Sequence, residues 1–353
     1  MHDRISKTAD IKKFFRLLTS GSTGRPLDII VTQEEHSRSK TIVFLNIYLE
    51  NGCRLTDKTL RIVTPRYITK KAWFQRLGIL REYFVSIFSG IDVQLNTLLQ
   101  TKPQAIRGFS SAIRYLALKI KEEGTKIQPP KVIFTTAEVL SGIDRMLISS
   151  VLQAEVIDYY CCNEVGIIAY ECKEHNGYHI NDDNVLLEFI KQDGTPCKFG
   201  EKGEIVVTSL NRYAMPFIRY KLSDVGIPKE RGCRCGRDSL LIETIMGRED
   251  DQILLTNGCV ISPYLLINIV GGIAGVVQFQ IVQKDLNKII INIVKDRNPM
   301  DNSIVNRVRK ECQDVLGGKI EIEPLIVDEI FRDRTGKLKV VKNEINNSLR
   351  RIG

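Results

Sequence analysis

The chain has 353 residues, is 43% hydrophobic and 26% charged, and carries a formal net charge of +9. That composition suits a folded protein of about two domains. No apolar run approaches the ~20 residues of a membrane-spanning helix, the polar start Met1-His2-Asp3-Arg4 lacks a signal-peptide apolar core, and the basic residues are scattered rather than gathered in a nucleic-acid-binding run. The expectation is a cytoplasmic protein with a solvated basic surface, of a sign compatible with anionic small molecules, and with no membrane and no nucleic-acid partner. Nine cysteines, an odd number in a long chain, read as thiols with a metal site among them rather than a disulfide framework.

Taken in chain order, Ile29-Ile30-Val31 is a short β-branched run behind a glycine-rich loop. Ser110 or Ser111 caps a predicted helix with Ile113, Leu116, Ala117 and Ile120 on one face, stopped by Gly124. Lys131–Thr135 reads as a buried strand, Ser141 opens a helix running to about Gln153, and Val156–Tyr160 is the next strand. Strand, helix, strand within ~30 residues is a βαβ unit and implies a parallel pair. Then Val185–Ile190, Gly203–Ser209 and Phe217–Tyr220 predict a β-rich subdomain of short strands. After Gly247 come Ile253-Leu254-Leu255, Val276–Val282 and Lys288–Val294 as strands, Asn302–Leu316 as a helix, and Ile320-Glu321-Ile322 and Leu325-Ile326-Val327 as two more short strands. The fold class is α/β: a large domain with a parallel βαβ sheet and a β-rich subdomain, then a small C-terminal α+β domain, with the boundary near Arg248–Asp251.

The most chemically loaded stretch is Thr19-Ser20-Gly21-Ser22-Thr23-Gly24-Arg25-Pro26. Its glycines permit positive φ and close backbone approach, and its hydroxyls and N–H groups can surround phosphate oxygens. The spacing is not that of a Walker loop. A second constellation holds sulfur and imidazole: Cys172, His175 and His179, then Cys233-Arg234-Cys235-Gly236. Cys172-x6-His179 with Cys233 and Cys235 makes a three-sulfur, one-nitrogen set suited to tetrahedral zinc, and Cys172-x2-His175 is the alternative pairing.

The glycine-rich octet resembles the phosphate loop of the adenylate-forming superfamily of acyl- and aryl-CoA ligases. The wider chain looks closest to the phenylacetate–CoA ligase-like branch, with its capsule-locus (CapK) and coenzyme F390 synthetase-like members. The resemblance runs in order from Thr19 to Lys337. It implies that Thr19, Ser20, Gly21, Ser22, Thr23 and Gly24 hold the ATP phosphates. In Tyr159-Tyr160-Cys161-Cys162-Asn163-Glu164 it makes Tyr160 an adenine-stacking residue and Glu164 a Mg2+ ligand, with Cys161-Cys162 standing where the family usually has small residues. Thr135-Thr136-Ala137-Glu138 resembles a segment whose backbone at Ala137 contacts adenine, Glu138 being structural. In Arg219-Tyr220-Lys221-Leu222-Ser223-Asp224, Asp224 corresponds to the ribose-binding carboxylate. The resemblance further implies that Arg248 reaches ribose or phosphates and that Asp250 marks the hinge, so that residues 1–247 would form the large domain, 248–251 the hinge and 252–353 a mobile C-terminal domain. Lys337, after Gly336, corresponds to the catalytic lysine, with Lys339 the second choice.

Relatives with a Cys-x-Cys-Gly element tend to pair it with Gly-x-His, here Gly177-Tyr178-His179, which favours Cys172, His179, Cys233 and Cys235 as a closed structural zinc site. The activity implied is ATP-dependent adenylation of a small carboxylic acid and transfer to a thiol, coenzyme A first. An amine, a hydroxyl or a carrier-protein thiol is the alternative acceptor, and a nucleotide-binding relative with reduced catalysis the alternative role. Relatives carry a longer segment ahead of the phosphate loop, where this chain has 18 residues before Thr19. The acyl pocket is expected around Gly108, Phe109 and Cys161.

Overall fold

The computed structural model describes residues 6, 14–18, 27–68, 72–248, 251–254, 260–261, 263–296, 303–316 and 320–345. Strands β1 (Phe14–Leu18) and β2 (Asp28–Thr32) form an antiparallel ribbon. Thr32 then caps helix α1 (Gln33–Val43) reciprocally with Glu35, an arrangement worth about 1 kcal/mol. The second oxygen of Glu35 accepts the backbone N–H groups of Tyr213 and Ala214 at 2.6 and 2.8 Å, so the capping residue also ties α1 to a distant loop. A π-helical turn, Phe44–Leu49, follows.

The centre is a parallel sheet. β3 (Lys58–Val63), β4 (Arg81–Ser86), β5 (Ala105–Phe109), β6 (Val132–Thr136) and β7 (Glu155–Cys162) lie in the order β4-β3-β5-β6-β7, every pair parallel. Between them run α2 (Trp73–Arg76), α3 (Ile91–Thr101), α4 (Ser110–Glu123) and α5 (Gly142–Leu152). Ile106, Ile133 and Val156 on the strands pack against Ile113, Leu116 and Ile120 of α4 and against Ile148 and Leu152 of α5. Each fully buried aliphatic side chain of that kind contributes roughly 1.5–3 kcal/mol. Ser141 caps α5 through the Asp144 N–H, and Gly124 ends α4 with φ +62°. The opposite face of the sheet buries Phe134, Ile157 and Tyr159 against Ile47 and Tyr48 of the π-helical turn.

The β-rich region is not a separate layer. β8 (Gly166–Glu171) folds back antiparallel on β7, and the ladder continues through β9 (Tyr178–Ile180), β13 (Leu241–Arg248), β12 (Tyr220–Lys229), β11 (Gly203–Ser209) and β10 (Val185–Ile190). Among the described residues eleven strands share one mixed sheet. The strand expected at Phe217–Tyr220 starts only at Tyr220 and runs on to Lys229. Phe217 is buried for another reason: its ring packs edge-on to Tyr220, with centroids 5.2 Å apart, inside the local core.

The C-terminal unit has a ribbon of β14 (Ile253–Leu254) and β15 (Val260–Ile261), helix α6 (Tyr264–Gly272), β16 (Val276–Asp285), β17 (Lys288–Lys295), α7 (Ser303–Leu316), β18 (Glu321–Ile326) and β19 (Val341–Asn343). Its four-stranded sheet has the order β18-β17-β16-β19. Ile304, Val308, Cys312 and Leu316 line the buried face of α7 at four-residue spacing. The two short strands expected around 320–327 are one strand: Pro324 is accommodated because β18 lies at the sheet edge, where a missing N–H breaks no ladder. No helix among the described residues is long and apolar enough to cross a membrane.

Candidate functional site

The C-terminal ends of β5, β6 and β7 form one rim, the place where open α/β sheets bind ligands. Tyr160, near the end of β7, donates its hydroxyl to Asp224 of β12. The register shift beside Asp224 in the β12–β13 pair is a bulge of the kind that re-aims a side chain, and Arg248 of β13 stands opposite with its Nε 3.9 Å from Asp224 Oδ1. Burial raises the Asp224 carboxyl above its ordinary range, while the Tyr160 hydrogen bond and then the charges of Arg248 and Lys337 draw it back. Burial and the facing Asp224 push Tyr160 well up, so it remains a donor. Residues far apart in sequence thus face one carboxylate.

Glu164 occupies the turn between β7 and β8, its backbone carbonyl held by Arg212 Nε at 3.2 Å. Its carboxylate acts on Cys162, whose thiol is driven well up by burial and then by that charge, so the thiol is held protonated. Cys161 Sγ lies 3.3 Å from Thr136 Oγ1 at the same rim. Ala137 has φ +70°, a left-handed conformation uncommon for a residue with a side chain, and it turns the chain sharply out of β6.

The lysine loop is a preorganised turn. Asp333 Oδ1 accepts the N–H of Thr335 at 2.8 Å, the Thr335 hydroxyl at 2.6 Å and the N–H of Lys337 at 3.0 Å. Gly336 takes φ +83°. Lys339, the second candidate, pairs with Asp251 at 3.3 Å, whereas among the described residues Lys337 has no ion-pair partner and its field falls on Asp224. The loop docks on the large domain. Glu138 Oε1 accepts the Leu338 N–H at 2.7 Å and stands 3.4 Å from Arg332 Nη1, which also reaches Ser111 Oγ at 2.8 Å. Arg114 of α4, held by Asp144 at 2.6 Å, donates to the carbonyls of Val276 and, at its other terminal nitrogen, Val277.

Thr19, Ser20, Gly21, Ser22, Thr23, Gly24 and Asp250, the expected hinge residue, lie outside the described residues. Of the residues expected around the acyl group, Gly108 faces the core: a Cβ there would stand 3.1 Å from Ile62 Cβ, so this glycine serves close strand packing rather than open space. Glu138 carries more contacts than its sequence reading gave it. Arg332 and Arg114 had no motif to mark them, because an arginine that bridges two domains has no local signature.

A second cluster sits where β8, β9 and β13 meet. Single donor atoms of Cys172, His179, Cys233 and Cys235 all lie within 4.8 Å of one another. Cys172 Sγ is 3.6 Å from Cys233 Sγ, and Cys235 Sγ is 3.3 Å from His179 Nε2. His179 Nδ1 is engaged by Ser239 Oγ at 2.8 Å, which leaves Nε2 toward the sulfurs. Burial and then Arg237 lower its imidazole to about 4, so the ring is neutral and has a lone pair to give. His175 is taken elsewhere: its Nε2 is 2.6 Å from Glu155 and its Nδ1 is 3.2 Å from Arg145. Gly177, φ +106°, is required for the approach, since a Cβ would fall 2.5 Å from the Ile242 carbonyl oxygen.

Residues 253–344 match the CapK C-terminal domain family model. The chain is 27% identical over 178 residues to a phenylacetate-coenzyme A ligase of Thermus thermophilus, covering 48% of this chain and 40% of that protein. It is 34% identical over 103 residues to the phenylacetate-coenzyme A ligase of Escherichia coli, covering 28% of this chain and 23% of that protein. The matched regions therefore span less than half the length of either relative. In three dimensions the whole chain overlays 77% of a 2-hydroxyisobutyryl-CoA ligase in its postadenylation state in complex with 2-HIB-AMP, at TM-score 0.75 and 19% identity. The same ligase in its thioesterification state, in complex with 2-HIB-AMP and CoA, gives 0.57, with the same identity and coverage. The fold is that of these adenylate-forming CoA ligases.

Proposed function

We propose that this chain adenylates a small carboxylic acid with ATP and passes the acyl group to a thiol, coenzyme A being the leading acceptor. The observation that carries this reading is the meeting of Tyr160 and Arg248, from separate parts of the chain, on Asp224 at the rim of the parallel sheet, with the charge of Lys337 acting on the same carboxylate. In this reading Tyr160 and Asp224 take adenine and ribose, the Asp224 oxygens accepting from ribose hydroxyls, and the backbone at Ala137 borders the base. Arg248 faces ribose or phosphate. Thr19–Gly24 cradle the triphosphate. Lys337 is assigned to meet both the incoming carboxylate and the α-phosphate, where its charge would stabilise the negative charge that builds up as the carboxylate oxygen bonds to phosphorus and pyrophosphate leaves. No protein nucleophile is needed, since positioning and charge suffice.

The carboxylate of Glu164, a hard oxygen donor beside this site, fits Mg2+, which would neutralise phosphate charge when bound. The three sulfurs and neutral imidazole nitrogen of Cys172, His179, Cys233 and Cys235 fit a four-ligand structural zinc, with Asp250 pivoting the small domain elsewhere in the chain. The higher superposition on the postadenylation form supports reading this arrangement as the adenylating one. A reduced-thiol, ATP- and CoA-dependent enzyme fits the cytoplasm.

The test is acid-dependent ATP–pyrophosphate exchange with phenylacetate, anthranilate and 2-hydroxyisobutyrate, followed by thioester detection with and without CoA. Exchange with at least one acid is expected. Exchange without thioester would move the acceptor to an amine, a hydroxyl or a carrier-protein thiol. No exchange with any of them, in protein shown to be folded, would count against adenylation.

A further inference from the structure

Glu138 divides its two carboxylate oxygens between the two domains. Oε2 serves its own domain: it accepts the Ser111 N–H at 3.0 Å and the Ser110 hydroxyl at 3.3 Å, at the N-terminus of α4. A carboxylate there is favoured by the helix dipole. Oε1 serves the other domain, accepting the Leu338 N–H at 2.7 Å and facing Arg332 at 3.4 Å. The pair is well shielded, with side chains 7% and 12% exposed for Glu138 and Arg332. Arg332 in turn holds the Gly336 carbonyl at 3.2 Å and Ser111 Oγ at 2.8 Å. The Oε1 contacts and the Arg332–Gly336 bond land on the turn that carries Lys337 or on the residues bordering it.

We propose that Glu138 and Arg332 are positioning residues that form a releasable clasp, seating Lys337 for adenylation and letting it go for acyl transfer. This rests on the adenylation reading above. The reasoning is electrostatic. A buried ion pair whose partner is removed leaves an uncompensated charge, which is strongly unfavourable. Here the carboxylate keeps the α4 N-terminus and Ser110 when the loop departs, so opening does not strand it. Arg332 leaves with the loop and becomes solvated. The division of oxygens makes the contact strong when closed and tolerable when open, which a two-position loop requires. Glu138 also follows the left-handed Ala137, so the same sharp turn at the end of β6 that borders the proposed adenine site aims the clasp.

The experiment compares wild type, Glu138→Gln, Arg332→Met and the double variant in three measurements. Pyrophosphate exchange with the acid the wild type uses is expected to fall about 100-fold in kcat, with KM for ATP and acid little changed, as for a catalytic group displaced by about 1 Å. Thioester formation from the preformed acyl-adenylate of that acid and CoA should stay within about twofold, and the double variant should be about as slow as either single one, because the two residues act as a unit. Hydrogen exchange of the peptide carrying Leu338 should be faster in all three variants, while peptides of α4 and α5 keep wild-type protection. Loss of both half-reactions together would make Glu138 merely structural and overturn the proposal, as would unchanged protection at Leu338. If the wild type activates no acid at all, the adenylation reading fails, and amide exchange still decides by itself whether the clasp exists.

Discussion

Gly336 and Thr64 meet across the domain interface: a Cβ on Gly336 would stand 2.5 Å from Thr64 Cγ2 and 3.0 Å from Ile87 Cγ2. The glycine also holds φ +83°, which an L side chain adopts at a cost of about 1–2 kcal/mol. Its seat at the ends of β3 and β4 brings the following Lys337 to the proposed nucleotide rim. Gly336→Ala is therefore expected to lift the loop off the large domain. Adenylation should drop at least about 10-fold while the thermal unfolding of the large domain is unchanged; near-wild-type pyrophosphate exchange would mean the close approach is not needed for chemistry.

Lys337→Ala removes the one cation proposed to bridge carboxylate and α-phosphate. Substrate-dependent pyrophosphate exchange should fall by about 10²–10³, and Lys339→Ala far less, because Lys339 is paired with Asp251. Equal losses in the two variants would argue that general positive charge, not position, matters.

The sulfur–imidazole cluster gives a metal prediction. Purified protein is expected to hold about one zinc per chain, lost in Cys235→Ser and His179→Ala but kept in His175→Ala. Strong chelation should lower the melting temperature. Absence of stoichiometric zinc, or its loss in the His175 variant alone, contradicts the ligand set.

Asp158 carries a pH dependence. Burial, then the charge of Glu171, raises its carboxyl to about 7, although Thr135 and Tyr178 donate to it at 2.6 and 2.8 Å. The folded protein therefore binds a proton that the unfolded chain, with an ordinary value of about 4, has released. Stability from this group is present below about pH 4 and is lost as pH rises to about 7. Between about pH 5 and 8 the melting temperature of Asp158→Asn should decline less than that of wild type. Parallel curves would refute the assignment.

The parallel core was legible where it was locally encoded. Ser141 and Gly124 are capping signals that depend on neighbouring residues alone, and the Val132–Thr136 and Glu155–Cys162 strands are nearly continuous apolar runs because both faces are covered. β3 and β4 went unread, since Lys58, Arg61, Arg81 and Glu82 interrupt the apolar pattern; Arg61 and Glu82 meet at 3.0 Å across neighbouring strands, a pairing the local pattern does not display.

By itself the sequence determined which residue types were available and in what order: the glycine-rich octet, Tyr160, Glu164, Asp224, Arg248, Lys337 and the cysteine–histidine spacings. Only the tertiary structure decided between His179 and His175 as neighbour of the sulfurs, because the outcome depended on which imidazole nitrogen other side chains had already taken. It also turned Glu138 from a structural residue into a bridge between domains, since hydrogen bonds between positions 200 residues apart leave no trace in local periodicity. Spacing along a chain encodes helices, strands and turns; convergence on one carboxylate is set by how those elements pack.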